Sequence, residues 1–239
     1  MFLNYHFKYQ VKKRTIFVPN NKSINIGCFI IKLLESKLSI PDCYFHFQNG
    51  GHVAALHKHR KNKFFFKIDL ERFYYTISRN RVAATLYDLG DPQARNHAKW
   101  SSVKNPFVFP RYSLPIGFIQ SPIISAAVLM RSPMQIAIDS AQRDGITVSV
   151  YFDDIIGSAN ELEPLTQAYE RLKSAINESS FILNTAKTVD PCDMLTAFNC
   201  HLSHNRTFVT EARIKLFDER TASVARAEAF RRYCESVSD

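Results

Sequence analysis

The chain has 239 residues, and its 46% hydrophobic content is sufficient for a packed core of one large or two small domains. No apolar run approaches the roughly 20 residues that a membrane-spanning helix needs, and the first residues lack the pattern of a signal peptide. We therefore expect a cytoplasmic protein without a membrane partner. Five cysteines without a Cys-x-x-Cys pair indicate reduced thiols rather than a disulfide framework.

The net charge of +9 is unevenly distributed. Basic runs occupy residues 12–14 and 57–63, and further cations lie near the end of the sequence: Arg213, Lys215, Arg226, Arg231 and Arg232. Such a field favours a polyanionic partner, and the 13% of aromatic residues add surfaces on which bases can stack. A solvated charged face is the alternative for any one cluster, and charge alone does not separate nucleic acid from an anionic membrane.

The first half of the sequence alternates strand and helix patterns. Lys13–Val18 predicts a strand, Ser23 predicts the cap of a helix that ends near Leu38, and Gly50-Gly51 opens a short basic helix to about Lys61. The apolar run Phe64–Ile68 predicts a buried strand with Asp69 at its end. A helix from about Ser78 to Leu89 follows.

The second half begins with an irregular segment rich in proline and aromatic residues. Ser121-Pro122 then predicts the start of a helix that reaches about Arg143, with a kink or break at Pro133. A β-hairpin is expected around residues 148–157, and an amphipathic helix over residues 161–179. Together these patterns predict an α+β domain with an antiparallel sheet packed on helices.

Residues 151–154, Tyr-Phe-Asp-Asp, are expected at the exposed tip of this hairpin. Adjacent aspartates repel each other unless a cation lies between them, although such pairs are also common in ordinary surface turns. Asp69 would be a third carboxylate if its strand neighbours the hairpin, and a helix cap is its alternative role. The three side chains would then suit two Mg²⁺ ions.

Four segments resemble the motifs of reverse transcriptases, in the order that the family has them. Residues 66–77 contain Asp-Leu-x-x-Phe-Tyr-x-Thr-Ile, and residues 113–122 contain Leu-Pro-Ile-Gly before Ser-Pro. Residues 151–154 match Tyr-x-Asp-Asp, and residues 183–188 read Leu-Asn-Thr-Ala-Lys-Thr. The last form is similar to bacterial enzymes of the retron, abortive-infection and defence-associated types.

The resemblance implies a right-hand polymerase fold with fingers, a palm and a thumb that is reduced or absent. Residues 1–63 and 84–115 would form the fingers, and residues 64–83 and 116–190 the palm. Residues 191–205 would form a primer-grip-like hairpin, and residues 206–239 a rudimentary thumb with one amphipathic helix at most. A companion subunit or a homo-oligomer is therefore expected to supply the clamp on the duplex.

The resemblance also assigns the catalytic centre. Asp69 and Asp153 would be the principal ligands of two Mg²⁺ ions, for which Mn²⁺ can substitute, and Asp154 and the Leu70 carbonyl would support them. Lys187 would neutralise or protonate the pyrophosphate leaving group. An ordinary exposed lysine is its alternative role.

Nucleotide contacts follow from the same motifs. Tyr74 stands at the steric-gate position, where an aromatic ring disfavours the 2′-hydroxyl and favours DNA as product. Gly117 would let the backbone approach the nucleotide or template, and Ile116 would lie against the nucleotide. Arg14 would reach nucleotide phosphates, with structural pairing as its alternative.

Contacts with primer or template are expected from two parts of the sequence. Tyr151 belongs to the catalytic hairpin, and Phe198 and Cys200 to the primer-grip-like hairpin. Lys12 and Lys13 belong to the first basic run. No tyrosine is singled out as a protein primer.

The function implied is that of an RNA-directed DNA polymerase in bacterial anti-phage defence. It would use an RNA template, deoxynucleotides and a DNA, RNA or protein primer. Two alternatives remain at this point: template-independent or repetitive DNA synthesis by the same site, and a nucleic-acid-binding subunit of a larger polymerase complex. Retention of the three aspartates with Lys187 speaks against the second alternative.

Overall fold

The computed structural model describes residues 3–12, 14–219 and 223–238, so Lys13 lies outside the described residues. The helices within them are α1 (Asn21–Lys37), α2 (Gly51–His59), α3 (Phe73–Thr76), α4 (Arg79–Asp88), α5 (Ala94–Trp100), α6 (Ser121–Met130), α7 (Pro133–Arg143), α8 (Leu162–Glu178), α9 (Glu211–Asp218) and α10 (Val224–Ser238). The strands are β1 (Tyr5–Val11), β2 (Arg14–Pro19), β3 (Phe64–Asp69), β4 (Val103–Lys104), β5 (Tyr112–Ser113), β6 (Thr147–Tyr151), β7 (Asp154–Ala159), β8 (Val189–Cys192), β9 (Met194–Ala197), β10 (Cys200–Ser203) and β11 (Arg206–Val209). Helices combined with antiparallel strands confirm the predicted α+β class.

The chain forms two compact units. The first unit comprises the residues up to Ile40, Leu70–Ile136 and Ala175–Ile182, and the second comprises Pro41–Asp69, Ala137–Ser174 and the residues from Leu183 onward. The boundaries of these units differ from those expected for the fingers and the palm. That functional division stays a prediction.

An antiparallel sheet with the strand order β6-β7-β3-β8 forms the centre of the second unit. The apolar run of β3 makes this strand buried almost throughout, as predicted. The β6–β7 hairpin is also confirmed, and its strand β7 pairs with β3 so that Asp69 lies opposite Asp154. Phe65 and Ile156 of this sheet share one hydrophobic cluster with Leu56 of α2.

A second sheet, β9-β10-β11, follows in the chain. Its first turn consists of Phe198 and Asn199, which both have positive φ, as a tight hairpin turn requires. Among the described residues, two helices come after this sheet, so the expectation of one amphipathic helix at most is wrong. Thr210 caps α9 by accepting a hydrogen bond from the Arg213 N–H, and a separate helix α10 packs its Val237 into the cluster of Leu56.

In the first unit, β1 and β2 form an antiparallel ribbon that leads into α1. The cap of α1 is Asn20 rather than the predicted Ser23. The Asn20 side chain accepts from the Ser23 N–H, while the Ser23 hydroxyl donates to the Asn4 carbonyl. The helix predicted from about Ser78 to Leu89 is α4, and the Ser78 hydroxyl caps it by accepting a hydrogen bond from the Arg81 N–H.

The helix expected from Ser121 to Arg143 consists of two helices, α6 and α7. The helix breaks before Pro133, as predicted. In the part of the chain that the structure describes, no single helix is long and apolar enough to cross a membrane. Taken together, the bent pair of helices α6 and α7 is long and apolar enough for a membrane span by length and composition alone.

Candidate active site

The carboxylates at one end of the β6-β7-β3-β8 sheet form the candidate catalytic centre. Asp69 is the last residue of β3 and the register partner of Asp154, the first residue of β7. Asp153 lies in the two-residue turn of the hairpin, directly before Asp154. The structure therefore brings the backbone positions of the three predicted aspartates to the same end of this sheet, within the second unit. We call this group the carboxylate end.

The hairpin turn has a strained backbone that neighbouring aromatic rings hold in place. Phe152 has a φ of 56°, an unusual value for a bulky residue. Its N–H lies 3.3 Å from His46 Nδ1, and the two ring centroids are 4.4 Å apart. Burial lowers the pKa of His46 to about 4, so its ring is a neutral acceptor at pH 7.

The carboxylate end is less exposed than the sequence predicted. Asp69 is buried, and the Asp154 side chain is 18% exposed because it already belongs to a paired strand rather than to the tip of the turn. Burial raises the pKa of Asp154, against the opposing effect of the nearby Lys67 ammonium, and the negative charge of Asp69 raises it further. Folding therefore places Asp154 where burial and the charge of Asp69 both disfavour its ionisation.

Two lysines of the same unit neutralise these carboxylates. Lys187 Nζ lies 3.2 Å from Asp69 Oδ2, and Asn184 Nδ2 donates to Asp69 Oδ1 at 2.7 Å. Lys67 Nζ lies 2.8 Å from Asp154 Oδ1. The Lys67 side chain is 11% exposed, whereas that of Lys187 is 55% exposed. Lys187 can therefore leave its carboxylate for solvent or a ligand at lower cost than Lys67 can.

The donor set suits a hard cation. Mg²⁺ prefers one or two carboxylates together with substrate phosphate oxygens, and Asp69 with Asp153 and Asp154 supplies oxygen donors of that type. Among the described residues, no three His, Cys, Asp or Glu side chains form a ready cluster for a metal ion. The carboxylates thus fit a centre that substrate phosphates complete, rather than an all-protein cage. A coordinating role for the Leu70 carbonyl stays a prediction.

The residues expected to contact the nucleotide lie in the first unit, apart from Lys187, which lies in the second. Arg14 begins β2 and is exposed, and Tyr74 is half-buried in α3, with its ring centroid 5.7 Å from that of Phe73. The Ile116 carbonyl accepts a hydrogen bond from the Phe17 N–H at 2.9 Å. Ile116 is therefore held against β2 by its backbone.

Gly117 has a packing reason to be glycine. Its φ is 109°, and a Cβ at this position would lie 2.3 Å from the Phe17 carbonyl oxygen. Both the backbone conformation and the close strand exclude other residues. The predicted approach of a nucleotide is not needed to explain this glycine, and that role stays a prediction.

The residues expected to contact the primer differ in exposure. Tyr151 and Phe198 meet edge to face within the second unit, with ring centroids 5.2 Å apart. Lys12 lies at the exposed turn between β1 and β2, with a φ of 54°. Cys200 is fully buried in the cluster of Leu56, which argues against direct contact with a primer.

Sequence reasoning gave no role to Lys67, Asn184 or His59. His59 is fully buried, with Nδ1 2.7 Å from Ser158 Oγ and Nε2 2.8 Å from Ser149 Oγ. It therefore joins α2 to both strands of the catalytic hairpin. Burial lowers its pKa to about 3, so it is neutral at pH 7. The role of Asn184 could have been found from its place in the Leu-Asn-x-x-Lys-Thr segment. The partners of Lys67 and His59 could not, because they depend on strand register.

Comparison with known proteins shows the family of the chain. The sequence profile of the family described as reverse transcriptase (RNA-dependent DNA polymerase) matches residues 8–209. The match covers most of the chain, which therefore belongs to the reverse transcriptase family.

Curated relatives include two retron enzymes of Escherichia coli. The retron Ec73 reverse transcriptase is 26% identical over 161 residues, which cover 62% of this chain and 49% of the relative. The retron Ec86 reverse transcriptase is 24% identical over 180 residues, which cover 74% of this chain and 54% of the relative. The expected likeness to bacterial retron enzymes is confirmed, and the chain spans about half the length of these relatives.

Solved structures with the same fold include telomerase from Candida albicans in complex with a fragment of telomeric RNA. It has a TM-score of 0.57 at 12% identity and covers 78% of this chain and 38% of its own. A foamy viral protease-reverse transcriptase in complex with double-stranded DNA has a TM-score of 0.52 at 14% identity, with coverage of 90% and 32%. At these identities the likeness concerns the fold, and it confirms the expected palm architecture of an antiparallel sheet with helices.

Proposed function

We propose that this chain acts as an RNA-directed DNA polymerase that adds deoxynucleotides to a primer hydroxyl. One observation carries the proposal: Asp69 and Asp154 are register partners at one sheet end, beside Asp153, in a chain of the reverse transcriptase family. Neighbouring carboxylates that the protein keeps partly buried indicate a task that outweighs their mutual repulsion.

The carboxylate end would hold two Mg²⁺ ions, or Mn²⁺ in their place. Asp69 and Asp153 would be the principal ligands, supported by Asp154 and the Leu70 carbonyl. Bound in this way, the ions would lower the pKa of the attacking hydroxyl and neutralise the triphosphate. Before any cation binds, the Lys187 and Lys67 ammonium groups neutralise Asp69 and Asp154. These ion pairs offset the repulsion between the two carboxylates.

Lys187 is proposed to act on the leaving group. Its ammonium is held 3.2 Å from Asp69, while most of its side chain remains accessible. From this position the ammonium group can move from Asp69 to the pyrophosphate oxygens as negative charge develops on them. A positioned cation or proton donor of this kind is worth about 10²-fold in rate.

The same proposal covers the nucleotide and nucleic-acid contacts. Tyr74 would select deoxynucleotides, and Arg14, Ile116 and Gly117 would contact the nucleotide. Tyr151 and Phe198 would contact the primer, together with the basic run that contains Lys12. A companion subunit or a second copy of the chain would complete the clamp on the duplex.

We place this activity in the bacterial cytoplasm and in defence against phages. The likeness to retron reverse transcriptases supports this proposal. Phage plaque counts on cells that express the wild-type chain or Asp153→Asn/Asp154→Asn provide its test. Equal counts on both would contradict the defence role.

The polymerase activity itself is tested by incorporation. The purified protein, with co-purified nucleic acid retained, is incubated with each labelled nucleotide and Mg²⁺, and the product is sequenced. We expect deoxynucleotide incorporation that depends on RNA and disappears in Asp153→Asn/Asp154→Asn.

Three outcomes would contradict separate parts of the proposal. Product formation by the double variant would exclude the site. Equal incorporation of ribonucleotides would exclude the role of Tyr74. Synthesis that survives ribonuclease pretreatment would exclude the RNA template and favour template-independent synthesis.

A further inference from the structure

A cavity of about 640 Å³ lies in the second unit, beside the catalytic hairpin. Its volume falls within the range of small-ligand sites. Its walls come from α2, the turn of the β9–β10 hairpin, α9 and α10. Tyr151 is the one residue that it shares with the catalytic hairpin. We call it the basic aromatic cavity.

Aromatic rings form much of its surface. Phe217 of α9 and Phe230 of α10 stack at a centroid distance of 3.9 Å, with their planes 13° apart. Tyr233 continues this row, with its centroid 6.0 Å from that of Phe230. The ring of Phe198, in the turn of the β9–β10 hairpin, lies 5.2 Å from that of Tyr151. Flat rings from several elements suit a flat, unsaturated ligand.

The cavity also has positive charge without a counter-charge. Its lining includes Arg213 and Arg226, and among the described residues no carboxylate lines it. Neither guanidinium forms an ion pair with a described carboxylate, although Arg213 lies 5.7 Å from the ring of Phe230. Arginine presents planar donors that fit phosphate. A lining of this kind favours an anion rather than a purely apolar ligand.

Two further polar groups of the wall, His52 and Tyr233, are uncharged at neutral pH. His52 Nε2 lies 3.0 Å from the Tyr233 hydroxyl, so the two residues fix each other. Burial lowers the pKa of His52 and raises that of Tyr233. The ligand therefore meets neutral hydrogen-bonding groups and two cations.

We propose that the basic aromatic cavity binds one unstacked nucleotide, with its base against the aromatic rings and its phosphate against Arg213 and Arg226. The inference deepens the proposed function, because it adds a subsite for single-stranded nucleic acid beside the catalytic hairpin. Base stacking on protein rings and phosphate contact by arginine are the two interactions that single-strand binding uses. A nucleotide within a strand and a free mononucleotide share this chemistry.

Photocrosslinking in the absence of catalysis tests the proposal. The wild-type protein is mixed, in EDTA, with a short single-stranded oligodeoxynucleotide that carries one iodouracil, irradiated, and mapped by mass spectrometry. We expect crosslinks to the peptides that contain Phe198, Phe230 or Tyr233. Because EDTA prevents polymerisation, the result is independent of whether the chain is an active polymerase.

Matched variants separate this cavity from general attraction to a basic protein. We expect Arg226→Gln and Phe230→Leu each to lower affinity and crosslink yield about tenfold. Arg232→Gln removes the same charge from an exposed position of the same helix, outside the cavity, and should change binding by less than about twofold. Circular dichroism melting checks that each variant is folded.

Competition identifies the source of the nucleotide. Displacement by excess deoxythymidine monophosphate would support a site for free nucleotides, and displacement by unlabelled oligonucleotide alone would support a nucleotide within a strand. Crosslinks confined to other peptides would overturn the proposal. Folded Arg226→Gln and Phe230→Leu variants that bind as the wild type does would also overturn it.

Discussion

The carboxylate end and the basic aromatic cavity lie in the same compact unit and handle charge in opposite ways. At the carboxylate end, Asp69 and Asp154 are each neutralised by a lysine of the same chain. In the cavity, Arg213 and Arg226 have no carboxylate among the described residues that line it. The first region supplies its own counter-charge, whereas the second leaves that task to a ligand.

This difference indicates how each region responds to its ligand. A cation that enters the carboxylate end must displace Lys187 from Asp69, so binding there is an exchange of one positive charge for another. An anion that enters the cavity displaces no ion pair between described residues. We therefore expect the affinity of the carboxylate end for cations to depend on the lysine that is paired with each aspartate. The affinity of the cavity for anions should depend on the salt concentration.

The largest expected effect comes from removing one charge of the carboxylate end. Asp69→Asn should lower incorporation about 10³-fold, because it deletes a principal ligand of the proposed ions. Stability should change little, since Lys187 becomes unpaired at a largely exposed position. Primer extension and thermal melting measure both quantities.

The matched control is Asp193→Asn, which removes the same charge from an exposed position of the same unit. It should retain incorporation and stability. If the two variants have equal activity, Asp69 has no special role and the contrast between the two regions fails.

A second test concerns the exchange of positive charge at Asp69. Lys187→Gln should lower kcat about 10²-fold with little change in stability, because its side chain is largely exposed. Lys187→Arg separates the two possible roles of the lysine. Arginine retains the charge but does not release a proton, so partial rescue would indicate neutralisation and absence of rescue would indicate proton transfer.

Single-turnover extension measures the chemical step, and Lys173→Gln, which breaks an exposed ion pair with Glu170, is the control for loss of a lysine. Unchanged kcat in Lys187→Gln would exclude both roles. It would also indicate that the ion pair of Lys187 with Asp69 serves the metal-free protein alone.

The sequence predicted the carboxylate end well because its signals are local. The apolar run of β3 and the alternation around residues 148–157 fix the two strands that carry the aspartates. Pairing of Lys67 with Asp154 could not be predicted, because it depends on the register of β3 against β7. The expected exposure of the hairpin tip was wrong for the same reason.

The cavity could not be predicted from sequence, because its walls come from segments that are distant along the chain. His52, Tyr151, Phe198 and Phe230 belong to four separate elements, and no short motif relates them. The expectation of one C-terminal helix missed the Thr210 cap that starts α9. A threonine followed by Glu211 was the available signal.

A third test concerns the packing that supports the carboxylate end. Gly157 of β7 lies opposite Phe66 of β3, and a Cβ there would lie 2.2 Å from the Phe66 ring. Gly157→Ala should therefore destabilise the protein by about 1–3 kcal/mol through overpacking. Chemical denaturation measures the change.

The double variant Gly157→Ala/Phe66→Leu is the control. Its loss of free energy of unfolding should be smaller than the sum of the losses of Gly157→Ala and Phe66→Leu, because the smaller side chain makes room for the methyl group. A double variant whose loss equals the sum of two independent losses would show that the ring is not the obstacle.

The smallest expected effect, taken per pH unit, is a dependence of stability on pH that distinguishes the two regions. His59 contacts Ser149 and Ser158 of the catalytic hairpin, and burial lowers its pKa from 6.5 to about 3. Its contribution to stability is fully present above pH 6.5 and is lost as the pH falls toward 3, since the unfolded chain then binds a proton that the folded chain excludes. The slope from this residue is at most about 1.4 kcal/mol per pH unit.

The slope is measured by urea denaturation of the wild type and of His59→Gln across this range. His59→Gln should be less stable at pH 7, because it disturbs the contacts with Ser149 and Ser158, but its stability should fall less steeply with acid. His52→Gln at the cavity is the comparison. His52 is only partly buried, so its removal should flatten the slope less. If both variants flatten the slope equally, neutral burial of a histidine is not specific to the support of the catalytic hairpin.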